Sequence, residues 1–566
     1  MTDSPLTLAQ PEDAHSREEW EAATAAVLRK SRRLSDDDAD SLVWDKLTRT
    51  TLDGIAITPL GLPADLDGLQ TAGRPTRAGA WDIRARYAGA GERLLNEHAL
   101  VDLDGGVTSL FVQASADTDF KVLLDKVLLD LAPVALEPVG DPVAVAKAFL
   151  DHATYDDLHP GTNLGADAAT ATPEQLVEVA GLAKKAGVLG VVVDAVAVHD
   201  LGASDVQELA ASLAIGAAAL RTLTDGGLSV EDAAGLIEFR YAAADEQFPT
   251  IAKLRAARRL WARVLELSGV STGSTTGGVG QRQHAITSRP MLTKYDPYVN
   301  MLRTTVAAFA AGVGGADAVT VLPFDSPLGQ PDAFGRRIAR NVSHLLMDES
   351  HVHEVADPAG GSYAVERLTD DLAVAAWELF GRLDEGEDIA PPIEETVAKR
   401  EAAIAKRKQP ITGLSEFPNL AEKLPAREAS DDGADVRRYG ASFEALRDEP
   451  AAKPVFLATL GTIAQHTARA TFATNLFAAG GVAVETAGAT AGVDDLIAAY
   501  DGQPVVCLAG ADPTYEEWGA DAAAALREAG AQRVIVAGKP TDYVDDSCSM
   551  GVDALSFLDR TREALA

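Results

Sequence analysis

Short apolar runs alternate with longer amphipathic segments from residue 51 to residue 385, and this alternation restricts the possible fold more than any other feature. The short runs have the length of buried strands, and the longer segments carry apolar residues at helical spacing. Parallel strands that alternate with helices over so long a stretch fit a closed barrel better than an open sheet. We therefore predict an α/β fold with a TIM (β/α)8 barrel over residues 51–385. Predicted strands include 110–115, 190–198 and 317–324, and predicted helices include 172–187, 251–267 and 333–347.

Three other regions precede or follow this repeat. Residues 1–50 form a predicted N-terminal arm with an exposed helix at 17–33. Residues 386–452 are highly charged, and we predict a linker with one helix that runs over the barrel. Residues 453–566 again alternate strand and helix, which predicts a small doubly wound domain. The predicted strands of this domain are VFLATL (455–460), VAVETAG (482–488), VVCLAG (505–510), RVIVAG (533–538) and DALSFL (553–558).

The charge and the cysteine content exclude several classes of function. The chain has 85 acidic and 50 basic residues and a formal charge of −35, so it repels phosphate backbones and anionic lipid. We expect neither a nucleic-acid nor a membrane partner, and an anionic substrate needs a local basic pocket against that field. Cys507 and Cys548 are the only cysteines, which leaves no disulfide framework and no cysteine-based zinc cluster.

The sequence also bears on localisation. The first residues are acidic and lack the basic and then apolar pattern of a signal peptide. The longest apolar runs, such as 189–198, are too short to span a bilayer. We therefore predict a cytoplasmic protein.

One turn of the C-terminal repeat carries a histidine where open α/β sheets bind cofactors. The segment LGTIAQHTARA, residues 460–470, follows a predicted strand and opens into a predicted helix. Ligands of such sheets bind at the carboxyl ends of the strands. The turn lacks the acidic and glycine residues that usually accompany such a histidine, so its residues have to be compared with a working site.

Six co-linear motifs make that comparison possible, because they closely resemble the adenosylcobalamin-dependent acyl-CoA mutases, chiefly the methylmalonyl-CoA mutase family. Their order and spacing agree over most of residues 70–415. The resemblance implies a TIM barrel that holds acyl-CoA through its centre. It also implies a flavodoxin-like domain that presses the corrinoid onto the end of the barrel. The motifs are WDIRARYAG (81–89), IAKLRAARRLWA (251–262), LTKYDPYVNMLRTT (292–305), FGRRIARN (334–341), DPAGGSYAVERLT (357–369) and KRKQPITG (406–413).

The cobalamin turn of this family reads D-x-H-x-x-G, in which the histidine replaces the lower ligand of the cofactor and the aspartate orients that histidine. This chain fails at least two of the three requirements in either register, so we predict a degenerate domain that binds no cobalamin. We expect His466 to be a surface histidine at a helix start. Alignment on Gly461 places Ile463, Gln465 and Ala468 at the three positions, and a shift of one residue places Ala464, His466 and Arg469 there.

The barrel has also lost family residues that hold the substrate. The family wedge tyrosine is Thr76, a histidine on a later strand is Thr320, and the motif H-C-Q-T-S-G is HAITSR (284–289). His284 is retained in that motif, but the glutamine is Ile286. A loop with a substrate arginine is shortened somewhere within residues 115–170. We predict an interior closed by packing, in which His284 is a hydrogen-bonded core residue with no catalytic role.

Other candidate sites are weaker. The cluster His351, His353 and Glu354 has the spacing of a metal site, but we expect a solvated loop and no bound metal. The segment 277–282 is glycine-rich and lacks the lysine and hydroxyl of a phosphate loop. We expect a solvated or interface face from four arginines of the helix at 251–267, and we find no serine or cysteine nucleophile with a recognisable histidine and acid. The four arginines are Arg255, Arg258, Arg259 and Arg263.

These observations leave three hypotheses. The family includes heterodimers in which a large catalytic subunit carries adenosylcobalamin and a smaller homologous subunit lacks the ligand motif. The resemblance implies that this chain is such a small, non-catalytic partner, with the N-terminal arm as the best candidate for the interface. Alternatively, the chain is a divergent acyl-CoA mutase that still binds substrate around His284. The third possibility is a regulatory or docking module without a large-subunit partner.

Overall fold

The N-terminal region folds onto itself. The computed structural model describes residues 14–69, 75, 77, 79–153, 158–270, 280–430, 433 and 435–566. The first helix begins after Ser16, which forms a reciprocal capping box with Glu19. Its buried residues Ala25 and Leu28 pack with Leu34 and Val43, so the arm has a small core of its own. The elements are α1 Arg17–Lys30, α2 Val43–Leu47, β1 Arg49–Thr50 and β2 Ala56–Ile57, with a 3₁₀ turn at Asp40–Leu42.

Eight parallel strands then close into a barrel, which confirms the predicted TIM architecture. Neighbouring strands pair in chain order, and the last strand closes the ring by pairing with the first, with Ala318 opposite Asp82. The predicted strand at 190–198 is shorter than expected, because a short helix begins at Val196. The barrel strands are β3 Asp82–Tyr87, β4 Ser109–Ala114, β5 Val134–Pro138, β6 Asn163–Asp167, β7 Leu189–Asp194, β8 Ile237–Ala243, β9 Arg282–Thr287 and β10 Ala318–Thr320.

Helices cover the outside of the barrel and begin and end at the expected signals. The helix predicted at 172–187 is capped by Thr172 and Gln175, starts with Pro173, and ends at Gly187 in the left-handed conformation. The helices are α3 Glu92–Asp104, α4 Phe120–Leu123, α5 Pro142–His152, α6 Pro173–Ala186, α7 Val196–Asp200, α8 Asp205–Asp225, α9 Val230–Gly235, α10 Gln247–Leu267, α11 Val299–Val313, α12 Ala333–His344 and α13 Tyr363–Asp384.

The basic face predicted on α10 is wrong for two of its four arginines. Arg255 and Arg258 are buried, and only Arg263 is well exposed. Arg255 lies between α10 and α13, where its guanidinium Nη2 is 2.9 Å from an oxygen of Asp357 and 2.7 Å from one of Glu366. The carboxylates that neutralise it come from a distant part of the sequence, which the helical pattern of α10 does not reveal.

The linker region contains two helices where we predicted one, α14 Ala390–Ala405 and α15 Ala441–Asp448. Arg447 ties α15 to the extended segment between the two helices by donating to the carbonyl oxygens of Gly413 at 3.0 Å and Asn419 at 2.8 Å. The Arg447 guanidinium also lies 3.9 Å from the ring centroid of Tyr295 at the barrel mouth. These contacts fix the linker against the barrel.

The C-terminal region is a five-stranded parallel sheet in the order β12-β11-β13-β14-β15, with helices on both faces. This is the doubly wound order expected of a flavodoxin-like domain. The prediction of a strand at 553–558 is wrong, because Asp553 caps a helix whose residues Ala554, Phe557 and Leu558 are buried at helical spacing. The elements are β11 Val455–Thr459, α16 Ile463–Ala479, β12 Val484–Thr486, α17 Val493–Ala499, β13 Val505–Ala509, α18 Asp512–Glu528, β14 Arg533–Ala537, β15 Asp546–Cys548 and α19 Ala554–Leu565.

Candidate functional site

Charged side chains cross the axis of the barrel. Arg84 of β3 donates to Glu238 of β8 at 2.7 Å, and both residues are almost completely buried. Burial opposes ionisation of Glu238, but Arg84 and the nearby Arg282 hold the pKa of its carboxyl below the usual value. The pair is therefore ionised, and it joins strands on opposite sides of the ring. Most TIM barrels fill this position with branched apolar side chains.

An aromatic ring blocks the next level of the axis. Phe111 of β4 is 1% exposed, and its centroid lies 4.8 Å from the guanidinium carbon of Arg86 and 4.4 Å from that of Arg240. Both distances are in the range of favourable cation–π contacts. Arg86 is held in turn by Glu137 at 2.7 Å, and Arg240 by Asp194 at 3.3 Å. Ion pairs and an aromatic ring fill the interior at this level, and Arg86 and Phe111 also line a cavity of about 710 Å³ at the barrel mouth.

His284 lies within this layer. The residue is completely buried, its Nε2 shares a 2.7 Å hydrogen bond with Oγ1 of Thr320, and its ring meets Phe111 edge to face at 5.4 Å between centroids. Burial, together with the positive charge of Arg84 and Arg240, lowers the pKa of His284 well below its usual value. The imidazole is therefore neutral at physiological pH. Its surroundings are those of the hydrogen-bonded core histidine that we predicted.

The neighbouring positions on these strands are also buried. Thr320, Ile286 and Leu322 are 0%, 2% and 4% exposed. Thr320 provides the hydrogen-bond partner of His284. Thr76, the substituted wedge position, lies outside the described residues.

Sequence analysis missed a buried relay of polar groups beside the barrel. Ser288 Oγ lies 2.7 Å from His199 Nε2, and His199 Nδ1 lies 3.5 Å from Glu208, which also accepts from Lys253 at 2.6 Å. The order of groups is that of a serine triad. Ser288 is completely buried, however, and a nucleophile needs access to substrate, so the relay is structural. His199 sits inside an apolar run of the sequence, and only the spatial neighbours distinguish it from a surface residue.

The C-terminal turn at residues 460–470 places His466 differently from the prediction. His466 is 7% exposed and lies inside α16, so the prediction of a surface histidine is wrong. Its Nδ1 lies 3.3 Å from the carbonyl oxygen of Gly461, in the same turn. Gln465 forms a capping box with Thr462, which holds the helix start in place. Ile463 is 68% exposed, and Ala464 and Ala468 are exposed as well.

Arg469 crosses the crevice between β11 and β13, where a doubly wound sheet receives the tail of a cofactor. Its guanidinium donates to the carbonyl oxygen of Gly510 at 2.8 Å, pairs with Asp512, and lies 4.9 Å from the ring centroid of Tyr515. The Tyr515 hydroxyl accepts from the backbone N–H of Gly510 at 2.8 Å. A glycine at position 469 would leave this space open. The residues present therefore do not fit a cobalamin tail with a histidine at cobalt.

Neither the histidine cluster at residues 351–354 nor the two cysteines form a metal site among the described residues. His351 Nδ1 lies 3.6 Å from Glu354 on an exposed 3₁₀ turn, at Val352–Glu354. Among the described residues, no group of three histidine, cysteine or acidic side chains is placed to hold a metal ion. Cys507 and Cys548 are both buried thiols. No helix in the described part of the chain is long and apolar enough to cross a membrane.

Comparison with known proteins agrees with the architecture. The methylmalonyl-CoA mutase family model matches residues 183–501. The chain is 42% identical to the methylmalonyl-CoA mutase small subunit of Streptomyces virginiae over 623 aligned positions, which cover 100% of this chain and 99% of that protein. It is 34% identical to the methylmalonyl-CoA mutase small subunit of Propionibacterium freudenreichii subsp. shermanii, covering 100% and 97% of the two chains. The chain belongs to the methylmalonyl-CoA mutase family.

Proposed function

We propose that this chain is the small, non-catalytic subunit of a heterodimeric methylmalonyl-CoA mutase. In that complex a homologous large subunit interconverts (R)-methylmalonyl-CoA and succinyl-CoA, and this chain stabilises it. Adenosylcobalamin, bound in the large subunit, supplies the radical chemistry. The similarity to small subunits over the whole chain supports this assignment.

The observation that carries the proposal is the layer of charged and aromatic side chains inside the barrel. A mutase of this family needs a dry passage along the axis for an acyl-CoA and fixed polar groups for its carbonyl and carboxylate. Here Arg84 pairs with Glu238 in the buried interior, and Phe111 packs between the guanidinium groups of Arg86 and Arg240. Removal of any one of these charges leaves its partner buried and unpaired, so the closure resists opening by a substrate.

The retained histidine does not favour the alternative of a divergent mutase. A general acid works best with a pKa near the working pH. His284 has a pKa far below its usual value, is fully buried, and already shares its Nε2 with Thr320. The described geometry therefore supports a structural role for His284.

Two measurements test the proposal. The purified chain is dialysed against adenosylcobalamin and assayed with (R)-methylmalonyl-CoA, alone and after co-expression with a homologous large subunit that carries the D-x-H-x-x-G turn. We expect the isolated chain to retain no cobalamin and to have no activity. We expect the co-expressed chains to form a stable one-to-one complex that retains cobalamin and converts (R)-methylmalonyl-CoA. Turnover or cobalamin retention by the isolated chain would overturn the proposal, and so would the absence of a complex.

We also propose that the N-terminal arm contributes to the subunit interface. Its hydrophobic core is its own, and Val27 on α1 is 66% exposed. The variant Val27→Asp should weaken the complex with the large subunit at least about tenfold without changing the stability of the isolated chain, since an exposed substitution costs little. The matched control is Ala22→Asp, which adds the same charge at another exposed position of α1. Equal effects of the two variants on complex formation, measured by sedimentation, would remove the arm from the interface.

A further inference from the structure

A large cavity lies at the mouth of the barrel. Its volume is about 830 Å³, within the range of pockets that hold small-molecule ligands. The end of β3 with the loop that follows it, the adjoining face of α3 and the loop after β10 form most of the wall, and the loop after β9, the start of α12 and the linker residues 426–430 complete it. Neither His284 nor Thr320 lines it. Leu322 does line it, so the cavity adjoins the buried layer around His284.

The wall of this cavity is positively charged, although the chain as a whole has a charge of −35. Among the described residues, the lining contains five arginines and two acidic residues, Asp332 and Glu428. The arginines that line the cavity are Arg86, Arg289, Arg336, Arg427 and Arg438.

Most of the carboxylates that fix these arginines stand behind the wall. Arg289 pairs with Asp200 at 3.1 Å, and Arg427 pairs with Asp325 at 2.6 Å. Neither of those two acids lines the cavity. Arg427 also pairs at 2.8 Å with Asp332, which does line the cavity, and it donates to the carbonyl oxygen of Ala426. These contacts fix the positions of Arg289 and Arg427 in the wall.

Arg336 is the arginine with the least compensation. Its guanidinium donates to the carbonyl oxygen of Pro331 at 2.9 Å, and among the described residues no carboxylate forms an ion pair with it. His98, which faces the same cavity, has a pKa below its usual value because of burial and because of the nearby charge of Arg336. The neutral imidazole adds no charge to the cavity and provides a further hydrogen-bonding group.

We infer that this cavity is a binding site for a phosphorylated small molecule, with Arg336 as its principal phosphate ligand. TIM barrels frequently bind phosphate at the loops that follow the seventh and eighth strands, which in this barrel are β9 and β10. Arginine matches the geometry of a phosphate by donating two parallel hydrogen bonds. The volume leaves room for the body of a small metabolite beside the phosphate. This site is independent of the proposed subunit role.

The test is a titration of the purified full chain with two probes, inorganic phosphate and glycerol 3-phosphate, by isothermal calorimetry at constant ionic strength. We expect saturable binding of at least one probe and a loss of at least about tenfold in affinity for Arg336→Gln. The matched control is Arg337→Gln, since Arg337 is the next residue of α12, is exposed, stacks on Phe334 at 5.5 Å, and does not line the cavity. Binding of glycerol 3-phosphate alone would identify a monoester site, and binding of both would identify a site for the phosphate group itself.

A second variant keeps all the arginines and adds a negative charge. Leu328 lines the cavity, so Leu328→Glu should abolish binding by repulsion, while Leu420→Glu on the exposed linker should not. Thermal unfolding establishes that each variant is folded. Failure of the unmodified chain to bind either probe at millimolar concentration would overturn the inference. Equal losses in Arg336→Gln and Arg337→Gln would also overturn it, because that result indicates binding to the general surface.

Discussion

The interior of the barrel and the carboxyl edge of the C-terminal sheet are both filled by side chains, but in different ways. Each retains a buried histidine, His284 at 0% and His466 at 7% exposure. Around His284 the closing groups come from strands on opposite sides of the barrel. Around His466 they come from its own turn and from one side chain, Arg469, that reaches the neighbouring loop.

This difference indicates how firmly each region is closed. The axis is blocked by ion pairs in a medium of low dielectric, where each charge depends on its partner. The sheet edge is blocked near the surface, where water screens the pair between Arg469 and Asp512, whose side chains are 29% and 73% exposed. We therefore expect substitutions in the barrel to affect stability much more than substitutions at the sheet edge.

The largest expected effect is that of Arg84→Met. Removal of this guanidinium leaves Glu238 buried without its 2.7 Å partner, and breaking a buried pair typically costs about 3–5 kcal/mol. Urea denaturation followed by the fluorescence of the buried residues Trp81 and Trp261 measures the loss.

The matched control for that variant is the double substitution Arg84→Met with Glu238→Leu. Replacement of both charges by apolar side chains of similar size removes the uncompensated carboxylate, so most of the lost stability should return. A double variant as unstable as Arg84→Met alone would show that the axis depends on more than this pair. If Arg84→Met is as stable as the unmodified chain, the barrel interior is no more sensitive to substitution than the sheet edge, and the proposed difference between the two regions is wrong.

The second prediction concerns pH. His284 has a lowered pKa in the folded protein and an ordinary value of about 6.5 in the unfolded chain, so the unfolded chain takes up the proton first. The contribution of His284 to the free energy of unfolding is therefore largest above pH 6.5. It decreases as the pH falls below that value, because protonation then favours the unfolded chain. The slope is at most about 1.4 kcal/mol per pH unit for one proton. The difference in free energy of unfolding between the unmodified chain and His284→Gln, measured from pH 7.5 to 5.5, should show this slope.

Subtracting the free energy of unfolding of His284→Gln from that of the unmodified chain removes contributions from other groups that titrate in the same range. Asp53 is one of them, because burial raises its pKa to about 6, and stability from this group increases as the pH falls. The control is His152→Gln, which removes an exposed histidine instead of a buried one. A constant difference between His284→Gln and the unmodified chain across the range would mean that His284 takes up its proton in the folded state.

The barrel could be predicted from the sequence, but the ion pairs that fill its interior could not. Strand and helix alternation is a local property, and capping signals such as Thr172 with Gln175 mark the helix ends directly. The pairing of Arg84 with Glu238 joins residues that are 154 positions apart, and no periodicity reports it. The arginines of α10 were placed on a solvated face for the same reason, since Asp357 and Glu366 lie far along the chain.

The two histidines illustrate the same limit. The burial of His284 was predicted correctly, because its position in a strand of the core gives it buried neighbours on both sides. His466 was placed on the surface because it lies at a helix start. In the structure its ring turns toward Gly461, and the exposed side of the helix is formed by Ile463 and Ala464 instead. A helix start does not specify which of its first residues faces inward until the sheet below it is known.

The smallest expected effect is that of Arg469→Ala. The variant loses one hydrogen bond to Gly510, a screened ion pair and a ring contact, and we expect a loss of less than about 1 kcal/mol in the free energy of unfolding. The matched control is Arg527→Ala in the same domain, because Arg527 also donates to one carbonyl oxygen, that of Tyr543 at 2.7 Å, and pairs with one carboxylate, Asp545 at 3.0 Å.

We expect equal losses from these two variants, and we expect Arg469→Ala still to retain no cobalamin after dialysis. Tyr515 continues to bind the N–H of Gly510, and Gln465 continues to cap the helix start, so loss of the arginine alone does not rebuild the turn. If Arg469→Ala costs several times as much stability as Arg527→Ala, the sheet edge is closed as firmly as the barrel axis. If it retains cobalamin, a single side chain separates this domain from a working one, and the two regions differ even more in how easily their closure is reversed.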